Sequence, residues 1–136
     1  MRVSLAQMAV QVADPAANRA KVEAVVAAEA GKADLLLLPE LWSTGYCLNR
    51  LVTDGLAEPD HGPSLHLLQR LASEHKLYLY GSTPVVRGGR VYNLATLFGT
   101  GGTRLAEYAK VHLVPMLDEH LHLAPGDRLV TADMAG

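Results

Sequence analysis

The chain has one cysteine, Cys47, one tryptophan and one phenylalanine among its 136 residues. A single thiol excludes an internal disulfide and any cysteine-based metal cluster. Long apolar runs are missing too: none approaches the roughly 20 residues needed to span a bilayer. The opening segment, Met1-Arg2-Val3-Ser4-Leu5-Ala6-Gln7, lacks the apolar centre of a signal peptide and reads as a first strand. No excess of one charge exists either. Lys and Arg number 12 against 14 Asp and Glu, for a formal net charge of −2, and the basic residues are scattered. Such a surface suits neither nucleic acid nor an anionic membrane. These absences predict a soluble, cytoplasmic protein with no nucleic-acid or membrane partner.

What is present points to an α/β domain. Nearly half the residues are apolar, and the length is that of one domain able to bury a core. Val3 and Leu5 alternate with polar neighbours, which predicts a strand over residues 3–8. Asp14 can cap free amides and Pro15 suits a first helical turn, so a helix follows over residues 16–30. Gly31 supplies its stop. Leu35-Leu36-Leu37-Leu38 is short and wholly apolar, as in a parallel strand buried on both faces. Strand, helix and strand make a βαβ unit with a right-handed crossover.

Residues 43–63 read as a long loop, a kind of segment that is commonly functional. A second helix runs from Pro63-Ser64 to His75-Lys76. Short strands are predicted at 77–80, 85–86 and 91–92, with Gly88-Gly89 as a two-residue hairpin turn. A further strand pair, 93–98 and 103–108, surrounds Gly99-Thr100-Gly101-Gly102. No Lys-Ser or Lys-Thr follows those glycines, so they form a turn and not a phosphate loop. Residues 128–131 are expected to begin another strand. The expected fold is a single α/β domain: one mixed sheet with helices on one face.

Three segments carry chemistry. Glu40 follows the buried strand and Pro39, and the carboxyl ends of strands are where open α/β sheets meet ligands. It is a candidate general base, or a strand-end charge facing water. Lys110 lies among apolar neighbours just past a strand, either as a snorkelling surface residue or as a desolvated cation. Glu119 is a candidate acid, or a simple loop or helix-start charge. Cys47, close to Glu40, is a possible nucleophile, although free cysteines are commonly small buried hydrophobes. His112, His120 and His122 with Glu119 offer a zinc alternative, which requires an extended 120–122 segment.

Together, Pro39-Glu40-Leu41 with Thr44-Gly45-Tyr46, Tyr108-Ala109-Lys110-Val111-His112-Leu113, and Glu119 with Pro125-Gly126 resemble the carbon–nitrogen hydrolase (nitrilase) superfamily. Gln7, the Asp14-Pro15 helix start and Tyr92-Asn93 are similar to that family as well. The resemblance covers the whole chain. It implies the N-terminal half of a four-layer α-β-β-α sandwich, so residues 1–136 would be a hydrolase domain incomplete at its C-terminal side. It implies a Glu-Lys-Cys triad in which Glu40 and Lys110 match the first two members, and a second glutamate matching Glu119. The family's cysteine lies beyond the segment matched by residues 128–136. The implied reaction is hydrolysis of a small non-peptide amide through a Cys thioester, releasing ammonia, with no metal or organic cofactor. Tyr46 is a candidate substrate-binding residue. This chain alone is expected to be inactive, and its expected partners are a second copy or a complementary C-terminal half. A non-catalytic half-domain that pairs with another chain is the alternative.

Overall fold

The computed structural model describes residues 1–134; the terminal Ala135-Gly136 lie outside the described residues. The chain alternates strand and helix, then turns to antiparallel strands. Strand β1 (Val3–Leu5) leads to helix α1 (Pro15–Glu29), strand β2 (Leu35–Leu37) and the two-residue β3 (Glu58–Pro59). Helix α2 (Pro63–His75), strands β4 (Tyr78–Arg87), β5 (Arg90–Phe98) and β6 (Arg104–Ala109), and the short helix α3 (Glu119–His122) follow. The sheet order is β1-β2-β4-β5-β6, with β3 pairing with β4 off this path. Pairing is parallel from β1 through β4 and antiparallel from β4 through β6. The sheet is therefore mixed, as expected.

Local chemistry explains the helix ends. The Asp14 carboxylate accepts from the Ala17 N–H at 3.0 Å, and Pro15 occupies the first turn. Helix α2 begins with Pro63 and ends where Lys76 takes a left-handed conformation. Glu58 serves α2 from outside the helix: its carboxylate accepts from Ser64 N at 2.7 Å and from Ser64 Oγ at 2.6 Å.

Both long helices cover one face of the sheet. Val22 and Val26 of α1 and Leu65, Leu68 and Leu71 of α2 meet Leu36, Leu79, Val85, Leu94 and Phe98 in one buried cluster. Fully burying each such side chain contributes about 1.5–3 kcal/mol before entropy is counted. The opposite face carries a row in register across five strands: Leu5, Leu37, Tyr80, Leu97 and Ala106. Leu5 and Tyr80 in this row are exposed. Among the described residues no helix is long and apolar enough to cross a membrane.

Four expectations need correction. The segments predicted as separate strands at 77–80 and 85–86 are one strand, β4. Gly81 and Pro84 ordinarily interrupt strands, but they lie in the stretch 81–84 where neither β2 nor β3 pairs with β4. Similarly, 91–92 and 93–98 form the single strand β5. The loop over 43–63 holds a 3-10 turn (Leu48–Arg50) and β3. Residues 128–131 form no strand; Arg128 begins instead a segment that runs past Arg104, Leu105 and Glu107 without entering the ladder.

Candidate active site

Pro39 follows β2 and restricts the residue before it to an extended conformation, so the strand ends by turning. Glu40 enters an elbow in which Leu41 has φ +48°, a left-handed conformation uncommon for residues other than glycine. That strain persists because its surroundings fix it. The Leu41 N–H donates to Ser82 Oγ at 2.9 Å, and the Trp42 N–H donates to the Ser82 carbonyl at 3.2 Å. The Leu41 carbonyl accepts from Gly45 N at 2.7 Å. Leu41 and Trp42 are fully buried beneath the elbow. Glu40 is thus presented on a rigid turn, on the sheet face away from the helices.

Lys110 arrives from the far edge of the same sheet. Its N–H donates to the Asn93 carbonyl at 3.0 Å, and its own carbonyl accepts from Gly126 N at 2.9 Å. A side chain at position 126 would collide with the Ala109 carbonyl oxygen, 2.2 Å from where its Cβ would lie, so this approach requires glycine. The Lys110 ammonium donates to Glu40 Oε1 at 2.9 Å and to Glu119 Oε1 at 2.9 Å. Glu119 is wholly buried at the start of α3. Its Oε2 accepts from the Val114 N–H at 2.7 Å. A cation is therefore suspended between two carboxylates, one buried and one partly open.

The open side faces a cavity of about 380 Å³ whose lining includes Glu40, Lys110, Asn93, Tyr80, Tyr108 and His112. Asn93 Nδ2 donates to Glu40 Oε1 at 2.7 Å, and the Tyr46 hydroxyl also bonds to this carboxylate. Burial pushes the Glu40 carboxyl up, but bonds from Tyr46, Lys110 and Asn93 and the Lys110 charge outweigh it. The result lies below the ordinary value of 4.5. Burial alone would lower Lys110, yet its bonds to Glu40 and Glu119 and their charges hold it above 10.5. Burial, then the bond and charge of Glu40, drive the Tyr46 phenol strongly upward, so it stays a hydroxyl. Across the neutral range Glu40 is an anion and Lys110 a cation.

The structure brings Glu40, Lys110 and Glu119 into one bonded cluster and places the Tyr46 hydroxyl against Glu40. Cys47 does not join them. Its thiol packs with Leu41, Leu48, Leu51, Val91 and Leu123 and lies 3.5 Å from the Thr44 carbonyl. Replacing Cys47 with Ser is expected to cost about 1–3 kcal/mol for burying a hydroxyl while leaving any hydrolytic rate unchanged. Turnover and urea unfolding of the variant check this; a folded variant without turnover would contradict it. The zinc alternative required an extended 120–122 segment, whereas these residues are helical. Among the described residues no group of three or more metal-ligating side chains is placed to hold an ion. Sequence reasoning did not single out Asn93 or Ser82 as members of the site. Their signals were the Tyr92-Asn93 pair and the polar Ser82-Thr83 within β4.

Comparison with known protein families matches residues 2–135 to the family described as carbon–nitrogen hydrolase. The chain belongs to the carbon–nitrogen hydrolase family. Among curated members, 2-oxoglutaramate amidase of Bacillus subtilis is 36% identical over 125 residues, which are 91% of this chain and 48% of that protein. Omega-amidase NIT2 of Homo sapiens is 34% identical over 109 residues, 74% of this chain and 39% of that protein. Solved structures agree. A CN-hydrolase superfamily protein of Xanthomonas campestris, with an arsenic adduct in its active site, superposes with a TM-score of 0.91 at 28% identity. That match covers 98% of this chain and 49% of the other. An amidase from Nesterenkonia sp., captured after Michael addition of acrylamide at its active-site cysteine, gives a TM-score of 0.80 at 26% identity. It is covered over 94% of this chain and 50% of its own. The chain thus spans about half the length of these carbon–nitrogen hydrolases, and its sheet and helices reproduce the fold of that half.

Proposed function

We propose that this chain carries the acid–base and cationic part of a hydrolase for small non-peptide amides, with the nucleophilic cysteine supplied from outside these 136 residues. One observation carries the reading: the Lys110 ammonium bonded at once to the partly open Glu40 and the wholly buried Glu119. The amidase names of the relatives support an amide as substrate. Burial of Cys47 among apolar side chains supports a nucleophile from elsewhere.

The chemistry follows from what each group can do. A thiol of pKa about 8.5 needs a base, and Glu40 takes its proton. The thiolate then bonds to the amide carbon, and the carbonyl electron pair moves onto oxygen. An ammonium has three donors; two of those of Lys110 are held by Glu40 and Glu119, and the third is free for the oxyanion. As the tetrahedral centre collapses, the carbon–nitrogen bond breaks and Glu40 returns its proton to the departing ammonia. Water then attacks the thioester, giving a proton to Glu40; the carbon–sulfur bond breaks, the acid leaves, and Glu40 returns that proton to the sulfur, restoring the thiol and the carboxylate. Glu119 keeps the Lys110 ammonium in place through both steps. Tyr46, whose hydroxyl bonds to Glu40, is the candidate for a substrate contact beside it.

Exposure of Leu5 and Tyr80 on the face away from the helices supports cover by further strands, from the rest of a longer chain or from a second copy. The lone cysteine and balanced charge fit a cytoplasmic setting. Ammonia release tests the reading. The complete protein should liberate ammonia from small primary amides without added metal, and the isolated 136-residue chain should not. Turnover by the isolated chain would overturn the proposal.

A further inference from the structure

Asn93 bonds to Glu40 through its side chain and to Lys110 through its backbone. It is almost wholly buried in the middle of β5. Its carboxamide donates to Glu40 Oε1 at 2.7 Å, while its backbone carbonyl accepts from the Lys110 N–H at 3.0 Å. The Lys110 ammonium bonds to that same Oε1 at 2.9 Å. Asn93 and Lys110 thus converge on one oxygen of the carboxylate, and neither bonds to Oε2; the Tyr46 hydroxyl is a third donor to the same carboxylate. An amide that donates to a carboxylate favours its charged form and also fixes its rotation. We propose that Asn93 is a positioning residue, which locks Glu40 Oε1 toward Lys110 and so turns Oε2 toward the reacting proton.

An ordinary packing role would need only the volume of Asn93. The positioning role needs its donor. The groups that face Glu40 otherwise are Lys110 beyond β6, Tyr46 from the following loop, Tyr80 of β4, Tyr108 of β6, and Glu119 and His112 near Lys110. Removing the donor leaves all of these in place, so a change in Glu40 reports on Asn93 itself. Asn93→Asp is the sharper variant. It conserves shape, removes the donor and sets a second carboxyl against Oε1, and like charges at that distance cannot both ionise freely.

The kinetic arm of the test rests on the amidase reading; the titration arm does not. In the complete protein, the Glu40 carboxyl is followed by carbon-13 NMR against pH for the native form, Asn93→Ala and Asn93→Asp. Glu40 should titrate higher in Asn93→Ala and higher again in Asn93→Asp. The acid limb of kcat/KM should move with it, kcat falling roughly ten- to a hundredfold, in keeping with loss of a hydrogen bond to a charged group. KM should change little. A protein without amidase activity but with the titration shift would defeat the functional reading and leave the positioning role standing. Unmoved Glu40 titration in a folded variant, or a loss of kcat with no displacement of the pH profile, would overturn the proposal. Failure of both variants to fold, seen by thermal unfolding and loss of Lys110 amide protection, would make Asn93 a packing residue and overturn it equally.

Discussion

Substitution of Glu40 by Gln in the complete protein is expected to lower kcat by about 10²- to 10⁴-fold, the range that a positioned acid–base group contributes. Gln keeps the length and accepts bonds from Asn93 and Lys110 at its carbonyl oxygen, so the elbow held by Ser82 remains. What disappears is the ability to take a proton from a thiol and return it to ammonia. The Glu40 side chain is 43% exposed, so solvent screens its ion pair and little stability is lost. A steady-state assay beside a urea melt separates the two effects. The native pH profile carries the same signature. Because Glu40 titrates below 4.5, activity should persist through mildly acid pH and fail only as pH drops through that lowered value. The sign for stability agrees: the contribution of a depressed carboxyl is present above its unfolded pKa and is lost as pH falls through the folded one.

Lys110→Met should be costly in two ways. It removes the donor proposed for the oxyanion, with an expected effect of about 10²- to 10³-fold on kcat. It also leaves Glu119, wholly buried, with only the Val114 N–H as partner. Breaking a buried pair on one side typically costs about 3–5 kcal/mol. The two losses separate in a double variant. Adding Glu119→Gln to Lys110→Met removes the orphaned charge, so stability should largely return while catalysis does not. Equal recovery of both, or recovery of neither, would contradict the assignment of Glu119 as the buried counter-charge. The pH dependence runs opposite to that of Glu40. Lys110 is held above 10.5, so its contribution is complete below that value and is lost as pH rises through the folded pKa.

Much of this arrangement was legible in the residues, for reasons that differ from place to place. Asp14-Pro15 fixes a helix start by local chemistry, and the observed cap is the expected one. Leu35-Leu36-Leu37 is too short and too apolar for anything but a buried strand, which puts Glu40 at its carboxyl end. Glycine pairs at 88–89 and 101–102 mark turns because few other residues tolerate those conformations; Gly88, Gly89 and Gly102 all have positive φ.

The continuity of β4 was not legible. Gly81 and Pro84 are poor strand formers, and they are tolerated because on the edge of β4 away from β5 the elbow after Glu40, and not a strand, abuts that stretch. Glu58 was hidden for a similar reason: a buried carboxylate that serves a later helix looks, in sequence, like any loop charge. Tyr92-Asn93 carries part of the family resemblance, but the place of Asn93 in the site was not legible, because it lies in having its side chain on Glu40 and its carbonyl on Lys110, a coincidence that only tertiary structure creates. The missing strand at 128–131 has an equally physical cause. Strand-forming residues such as Leu129, Val130 and Thr131 give a segment the capacity to pair, but pairing also needs an edge in register, and the chain after Gly126 does not meet β6 in one.

The central claim is that Glu40, Lys110 and Glu119 serve a cysteine lying outside these 136 residues. It is tested most directly by trapping the covalent intermediate. The complete protein is mixed with a small amide, quenched in acid during turnover, digested and mapped by mass. An acyl group on a cysteine beyond residue 136, lost in Glu40→Gln, is the predicted result. An acyl group on Cys47, or turnover without any acylated cysteine, would contradict the account.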